Sequence, residues 1–173
     1  MKPLVPGKVT IGIASRNRCA LLIRALKSAL EQTYPLIQVV VSDDASDDGT
    51  AEALAMITDP RLVCIRQQER LGVVRNQNAV LQAAEGEFFI SCSDDDILAP
   101  DAIRQMVDPF LQGACGRPGS EFGLSWCPCE IINASDQLIN SCTRQLPVRP
   151  VSPALTSCTG CTRARVGPVT RRC

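Results

Sequence analysis

Four times between residues 9 and 111, a short apolar run rich in β-branched residues is followed by a longer stretch with apolar side chains at helical spacing. Val9–Ile13 reads as a buried strand, followed by Leu21, Leu22, Leu26, Ala29 and Leu30 on one helical stripe that runs to about Gln32 and stops before Pro35. Gln38–Val41 is the next strand, and the turn at Asp48–Gly49 feeds a helix from Thr50 to about Ile57. Arg61–Ile65 is the third strand, and the helix after Gly72 carries Val73, Asn76, Val80, Leu81 and Ala84 and ends at Gly86. Glu87–Ser91 is the fourth strand, with a last helix from Asp101 to Leu111 behind Pro100. Such alternation predicts an α/β fold, a mostly parallel sheet covered by helices on both faces through right-handed crossovers.

In open sheets of this kind, ligands lie outside the carboxyl ends of the strands. The informative polar clusters fall at those ends: Ser15–Arg18, Ser42–Asp44 and Ser93–Asp96. Asp94, Asp95 and Asp96 are the strongest signal, because adjacent carboxylates repel at close range and a cation relieves that repulsion. The chain has no histidine. Nucleophile systems built on histidine are therefore excluded, and metal work on carboxylates points toward Mn²⁺ or Mg²⁺ rather than a histidine-ligated zinc. The bland alternative is a solvated loop leading into a helix. Asp43 and Asp44 either accept hydrogen bonds from a base or ribose or open a turn continued by Asp47 and Asp48. Arg70 and Arg75 flank Gly72 at a helix entrance, a place that suits phosphate but also suits a solvated helix start.

Other function classes are weakened by composition. Lysine and arginine number 18, as do aspartate and glutamate, so no global charge draws the chain to nucleic acid or anionic lipid. Aromatics at 3% are too few for a base-stacking platform. The dinucleotide fingerprint GxGxxG and the phosphate-loop motif GxxxxGK[ST] are both absent. No segment has the length of a membrane span and the start lacks a signal peptide, so the expected compartment is cytoplasmic, with peripheral membrane association left open and the ten cysteines mostly thiols. Cys19, Cys64 and Cys92 fall in element-forming stretches and read as small hydrophobes. Cys127, Cys129, Cys158 and Cys161 are either a zinc site or incidental thiols.

Five segments together resemble the family 2 glycosyltransferases of the GT-A fold: Val9–Asn17, Gln32–Pro35, Val40–Thr50, Asn78 with Ala83–Glu87, and Ser93–Pro100. The resemblance covers about residues 7–112. It implies transfer of a sugar from a nucleotide-sugar donor, usually with inversion, using Mn²⁺ or Mg²⁺, to a sugar, lipid or protein acceptor. It also implies that Ala14 and Arg16 line the base pocket, that Asp43 contacts the base, and that Asp94 and Asp95 stand at the family's acidic motif. Asp95 is then the direct metal ligand, with Asp96 behind it or serving as a helix cap. This chain departs from the family where proline is usual near Ala14 and a non-basic residue near Arg16. Two rival readings are a nucleotidyltransferase, which would carry glycines after the first strand, and a catalytically inactive nucleotide-binding fragment.

Past Leu111 the alternation ceases. Leu124–Cys129 and Glu130–Ile139 read as a hairpin turning at Ala134–Asp136. Residues 1–140 are expected to form the donor-binding domain and residues 141–173 an irregular Arg/Pro/Cys-rich tail, resembling a shifted frame or artificial end. The sheet is then incomplete on its acceptor side, and Glu121, Glu130 and Asp136 are the only late carboxylates, none in the context of an acceptor base.

Overall fold

The computed structural model describes residues 3–111, 129–133, 135–142 and 166–167. The elements run β1 (Val5–Ser15), α1 (Cys19–Leu30), β2 (Ile37–Asp43), α2 (Thr50–Ala55), β3 (Leu62–Arg66), α3 (Val73–Ala83), β4 (Gly86–Ser93), α4 (Ala102–Leu111), β5 (Cys129–Ile132), β6 (Leu138–Cys142) and β7 (Val166–Gly167). The main sheet has the order β3-β2-β1-β4-β7, and every pairing in it is parallel. The expected α/β architecture is present, and the strand order turns back on itself at β1, with β2 on one side and β4 on the other.

The two faces of β1 divide the core. Val9, Ile11 and Ile13 point to one side, where Leu22, Ala25, Leu26 and Ala29 of α1, Leu54 of α2 and Ile103, Met106 and Val107 of α4 bury them. On the other side Val40 and Phe89 pack beneath Val80 of α3. Fully burying an aliphatic side chain contributes about 1.5–3 kcal/mol, so the larger first cluster anchors the sheet.

Several local expectations change. Cys64 is exposed, because β3 is the edge strand and covers only part of its surface; Cys92 is buried and Cys19 half-buried. Gly86 does not terminate α3 as a left-handed cap. It opens β4, and a side chain there would come within 2.6 Å of the carbonyl oxygen of Lys8 and the amide nitrogen of Thr10. A hairpin is present among the described residues, pairing Cys129–Ile132 with Leu138–Cys142; residues 124–128 of the strand expected at 124–129 lie outside the described residues. Val166 and Gly167, within the stretch expected to be irregular, pair in parallel with Phe89 and Ile90. The outer edge of β4 presents backbone donors and acceptors that such a strand satisfies. The rest of the 141–173 segment beyond Cys142 lies outside the described residues. No helix among the described residues is long and apolar enough to cross a membrane.

Candidate functional site

Register fixes the site before any side chain is considered. Ala14 pairs with Ser42 on one side and Ser93 on the other, and Ser15 pairs with Asp43. The carboxyl ends of β2, β1 and β4 therefore finish in one row. The Asp43 and Asp94 backbones lie two strand spacings apart, about 10 Å. Ala14 is half-buried in the middle of this row, between the two acidic ends.

Asp94 is buried and held by two partners. Ser15 Oγ donates to Asp94 Oδ2 at 2.7 Å, and Arg18 Nη1 donates to Asp94 Oδ1 at 3.1 Å. The same guanidinium nitrogen lies 3.5 Å from Asp95 Oδ2, whose side chain is 32% exposed. Asp96 is buried, and its amide donates to the carbonyl of Ser93 at 3.2 Å, closing a turn. It is not a helix cap, because α4 begins six positions later at Ala102. The chain beyond this turn is pinned from α1. Ser28 Oγ accepts from the amide of Leu98, while Gln32 donates to the carbonyl of Ala99 and accepts from the amide of Ile103. Behind the triplet, burial pushes the Cys92 thiol up to about 12, helped by the negative charges of Asp96, Asp94 and Asp95.

The β2 end is built differently. Asp44 accepts from the amides of Leu71 and Gly72 with its two oxygens, so a carboxylate already occupies the entrance of α3. Gly72 has φ 82° and ψ 163°, a conformation essentially restricted to glycine, and this turns the chain into α3 directly over Asp44. The helix entrance that the sequence offered to phosphate is thus filled by the protein's own anion. Arg75 and Arg70 stand exposed beside it, without an ion-pair partner among the described residues. Asp43 is 1% exposed. Its Oδ1 accepts from the amide and hydroxyl of Ser46, while Oδ2 is buried with no partner among the described residues. Buried carboxylate oxygens are almost always hydrogen-bonded, so this one stands out.

Between the two ends, Asn76 of α3 is 2% exposed and reads both strands. It accepts from Ser42 Oγ at 2.6 Å and donates to the Ser42 carbonyl at 3.0 Å and the Ser15 carbonyl at 3.4 Å. Asn17, in the left-handed region at φ 51°, donates its amide to Ser46 Oγ and accepts from the Asp47 amide. Asp48 accepts from the Thr50 hydroxyl and from the Cys19 amide, and those hydrogen bonds hold its carboxyl below the ordinary value. Arg16 is half-buried and makes no ion pair among the described residues.

Sequence reasoning named Ala14, Arg16, Asp43, Arg75, Asp94, Asp95 and Asp96. The structure brings Ala14, Asp43, Asp94, Asp95 and Asp96 to one edge and leaves Arg75 on an exposed helix turn. It adds Ser15 and Arg18, which contact the acidic cluster, and Asn76, which hydrogen-bonds to both β1 and β2. The polar interruption Ser15–Arg18 after an apolar strand was the signal for the first two; no local signal marks Asn76.

Among the described residues, no three His, Cys, Asp or Glu side chains converge as a metal cage. What is present fits a cation that needs only part of its shell from protein. Asp94 and Asp95 are adjacent oxygen donors, Asp94 buried and Asp95 partly open, and Mg²⁺ and Mn²⁺ complete such sites with phosphate oxygens and water. The cysteines of the alternative zinc reading, Cys127, Cys158 and Cys161 with the side chain of Cys129, lie outside the described residues. Of the late carboxylates, Glu130 is exposed and Asp136 pairs with Arg24 of α1 across to the hairpin turn; Glu121 lies outside the described residues.

Comparison with known proteins agrees with this fold. The chain is 36% identical over 100 residues to the succinoglycan biosynthesis protein ExoO of Rhizobium meliloti, covering 58% of this chain and 29% of the relative. It is 33% identical over 99 residues to the Escherichia coli UDP-Glc:alpha-D-GlcNAc-diphosphoundecaprenol beta-1,3-glucosyltransferase WfaP, covering 57% and 39%. It therefore spans well under half the length of these relatives. Among solved structures, the mannosyltransferase PcManGT from Pyrobaculum calidifontis, in complex with GDP-Man and Mn²⁺, superimposes with a TM-score of 0.58 at 26% identity, over 75% of this chain and 36% of that one. Staphylococcus aureus TarS with UDP-GlcNAc shares the fold at TM-score 0.63 and 21% identity, over 73% and 36%. The family model for glycosyl transferase family 2 matches residues 10–123, from β1 through the acidic triplet and past α4, and the chain belongs to that family.

Proposed function

We propose that this chain binds the nucleotide-sugar donor of a metal-dependent, inverting glycosyltransferase. The observation that carries the reading is the unpartnered Oδ2 of buried Asp43, in one register row with Asp94 and Asp95. An acceptor-only carboxylate at one end of the row suits the N–H of a nucleobase. Carboxylates at the other end suit a cation that bridges to a diphosphate. Ala14, with no bulk beyond Cβ, leaves the middle of the row open to the nucleoside, and Arg16 borders it. Asp95, the more exposed of the pair, is the direct ligand; Asp94, held by Ser15, orients the ribose and the second carboxylate. When bound, Mn²⁺ or Mg²⁺ would neutralise charge on the departing nucleoside diphosphate. WfaP is named for a UDP-glucose donor and a lipid-diphosphate acceptor, and PcManGT was solved with GDP-Man and Mn²⁺; donors of that class and a lipid-linked or polysaccharide acceptor are the reading for this chain.

Calorimetry with uridine, guanosine, thymidine and cytidine diphosphates, with and without Mn²⁺, tests it. One of the four is expected to bind in a Mn²⁺-dependent manner. Asp95→Ala should remove that dependence, while Asp47→Ala, at an exposed position in the neighbouring loop, should keep it. Equal affinity in the two variants would sink the metal assignment. Product formation from the intact sugar donor separates a transferase from a protein that only holds nucleotide.

A further inference from the structure

Arg18 contacts the acidic pair without any role in the donor reading above, and its placement is specific. It is the residue preceding α1, yet its side chain does not cap that helix. Asp48 does so instead, accepting from the Cys19 amide. The left-handed Asn17 turns the chain, and the guanidinium crosses to β4, where Nη1 lies 3.1 Å from Asp94 Oδ1 and 3.5 Å from Asp95 Oδ2. Its side chain is 50% exposed, so little packing opposes a change of rotamer. A guanidinium donating to both carboxylates holds the charge position that a divalent cation would need, and the two cations repel each other at contact distance.

We propose that Arg18 couples metal and donor binding: it neutralises Asp94 and Asp95 in the empty site, is expelled when the divalent cation enters, and then meets the diphosphate. The proposal rests on the donor-site reading above and deepens it. Expulsion opposes metal binding to the free protein. A diphosphate opposes it less, because it offers the displaced guanidinium a new anionic partner in a fork geometry. Metal and nucleotide therefore favour each other beyond their direct contact, and by linkage the effect is reciprocal. The mount of Arg18 strengthens the link. Asn17 donates its amide to Ser46 Oγ, and Ser46 donates to Asp43, so the loop carrying Arg18 is hydrogen-bonded to the nucleobase end of the row.

The test measures free Mn²⁺ by electron paramagnetic resonance, with and without the nucleoside diphosphate that binds in the calorimetric screen. Without nucleotide, Arg18→Ala is expected to bind Mn²⁺ about tenfold more tightly than the native chain, and the factor by which nucleotide tightens Mn²⁺ binding is expected to fall by about the same amount. Arg24→Ala removes one positive charge from α1 away from the acidic pair and should match the native chain in both measurements. Arg18→Lys keeps the charge and should fall between. Thermal melts of each variant check that the fold is intact. Equal or weaker Mn²⁺ binding by Arg18→Ala, with binding still abolished by Asp95→Ala, would overturn the role of Arg18 and leave the donor site standing. Absence of Mn²⁺ binding by the native chain even with nucleotide, or binding untouched by Asp95→Ala, would instead overturn the donor-site reading and this proposal with it.

Discussion

Two acidic clusters end neighbouring stretches of the same sheet edge, and they serve different ends. Asp43–Asp44 ends β2 and is met mainly by backbone: Asp44 accepts two amides from the entrance of α3, while Asp43 accepts from the amide and hydroxyl of Ser46 with one oxygen and has no partner for the other among the described residues. Asp94–Asp96 follows β4 and is met by side chains, the Ser15 hydroxyl and the mobile-length guanidinium of Arg18. A carboxylate locked to backbone amides is a structural anion, because moving it leaves buried donors unpaired. One held by a half-exposed arginine exchanges its partner at much lower cost. The sequence Ser-Asp-Asp is shared by both sites; the identity of the hydrogen-bond partners separates scaffold from binding surface.

The largest effect that would break this contrast is on stability. Asp44→Ala leaves the Leu71 and Gly72 amides without their acceptor and is expected to lower unfolding free energy by about 3 kcal/mol, whereas Asp95→Ala should stay within about 0.5 kcal/mol of the native chain. Urea denaturation of the two variants measures both, and equal losses would abolish the division.

Next in size is Asp43→Asn. It keeps an acceptor for Ser46 but replaces the bare oxygen, in one amide orientation, with a donor. Nucleoside diphosphate binding is expected to weaken by about 2 kcal/mol with little change in the urea midpoint. A large midpoint shift with unchanged affinity would assign Asp43 to the scaffold along with Asp44.

Gly72→Ala sharpens the scaffold side. A side chain is strained at φ 82° even though no atom lies within 4 Å of where its Cβ would stand. A loss of about 1–2 kcal/mol is expected, and it should be less than additive with Asp44→Ala, since both act on the same turn.

The last effect is a pH dependence on the binding side, confined to the alkaline range. Cys92 lies behind the aspartates with its thiol raised from 9.0 to about 12. Above 9.0 the unfolded chain releases a proton that the folded chain still holds. Stability contributed by the buried thiol is therefore full below that value and declines as pH rises toward about 12. Stability profiles of the native chain and Cys92→Ala should diverge over this alkaline range, the variant falling less steeply. Parallel profiles would show that the thiol is not enclosed as described.

Much of this was present in the sequence. The β-branched runs Val9–Ile13 and Gln38–Val41, and the helical stripe from Leu21 to Leu30, specify their elements because a strand buried on both faces and an amphipathic helix each have a local signature. Placement of Asp43, Asp94 and Asp95 at one edge followed from alternation alone, since parallel crossovers put all carboxyl ends on the same side. Other features depended on contacts distant in the chain. Cys64 is exposed because β3 is an edge, and strand order is set by which neighbours pair. Gly86 is required by the close approach of β1, seventy-odd positions earlier, rather than by the end of α3. Asp44 becomes a helix clamp, Asp43 keeps an empty oxygen and Arg18 bridges two carboxylates only once β1, β2, β4 and α3 are packed together. Periodicity records which side chains a chain must bury; which polar partner each carboxylate finds is decided by distances that exist only in the assembled fold.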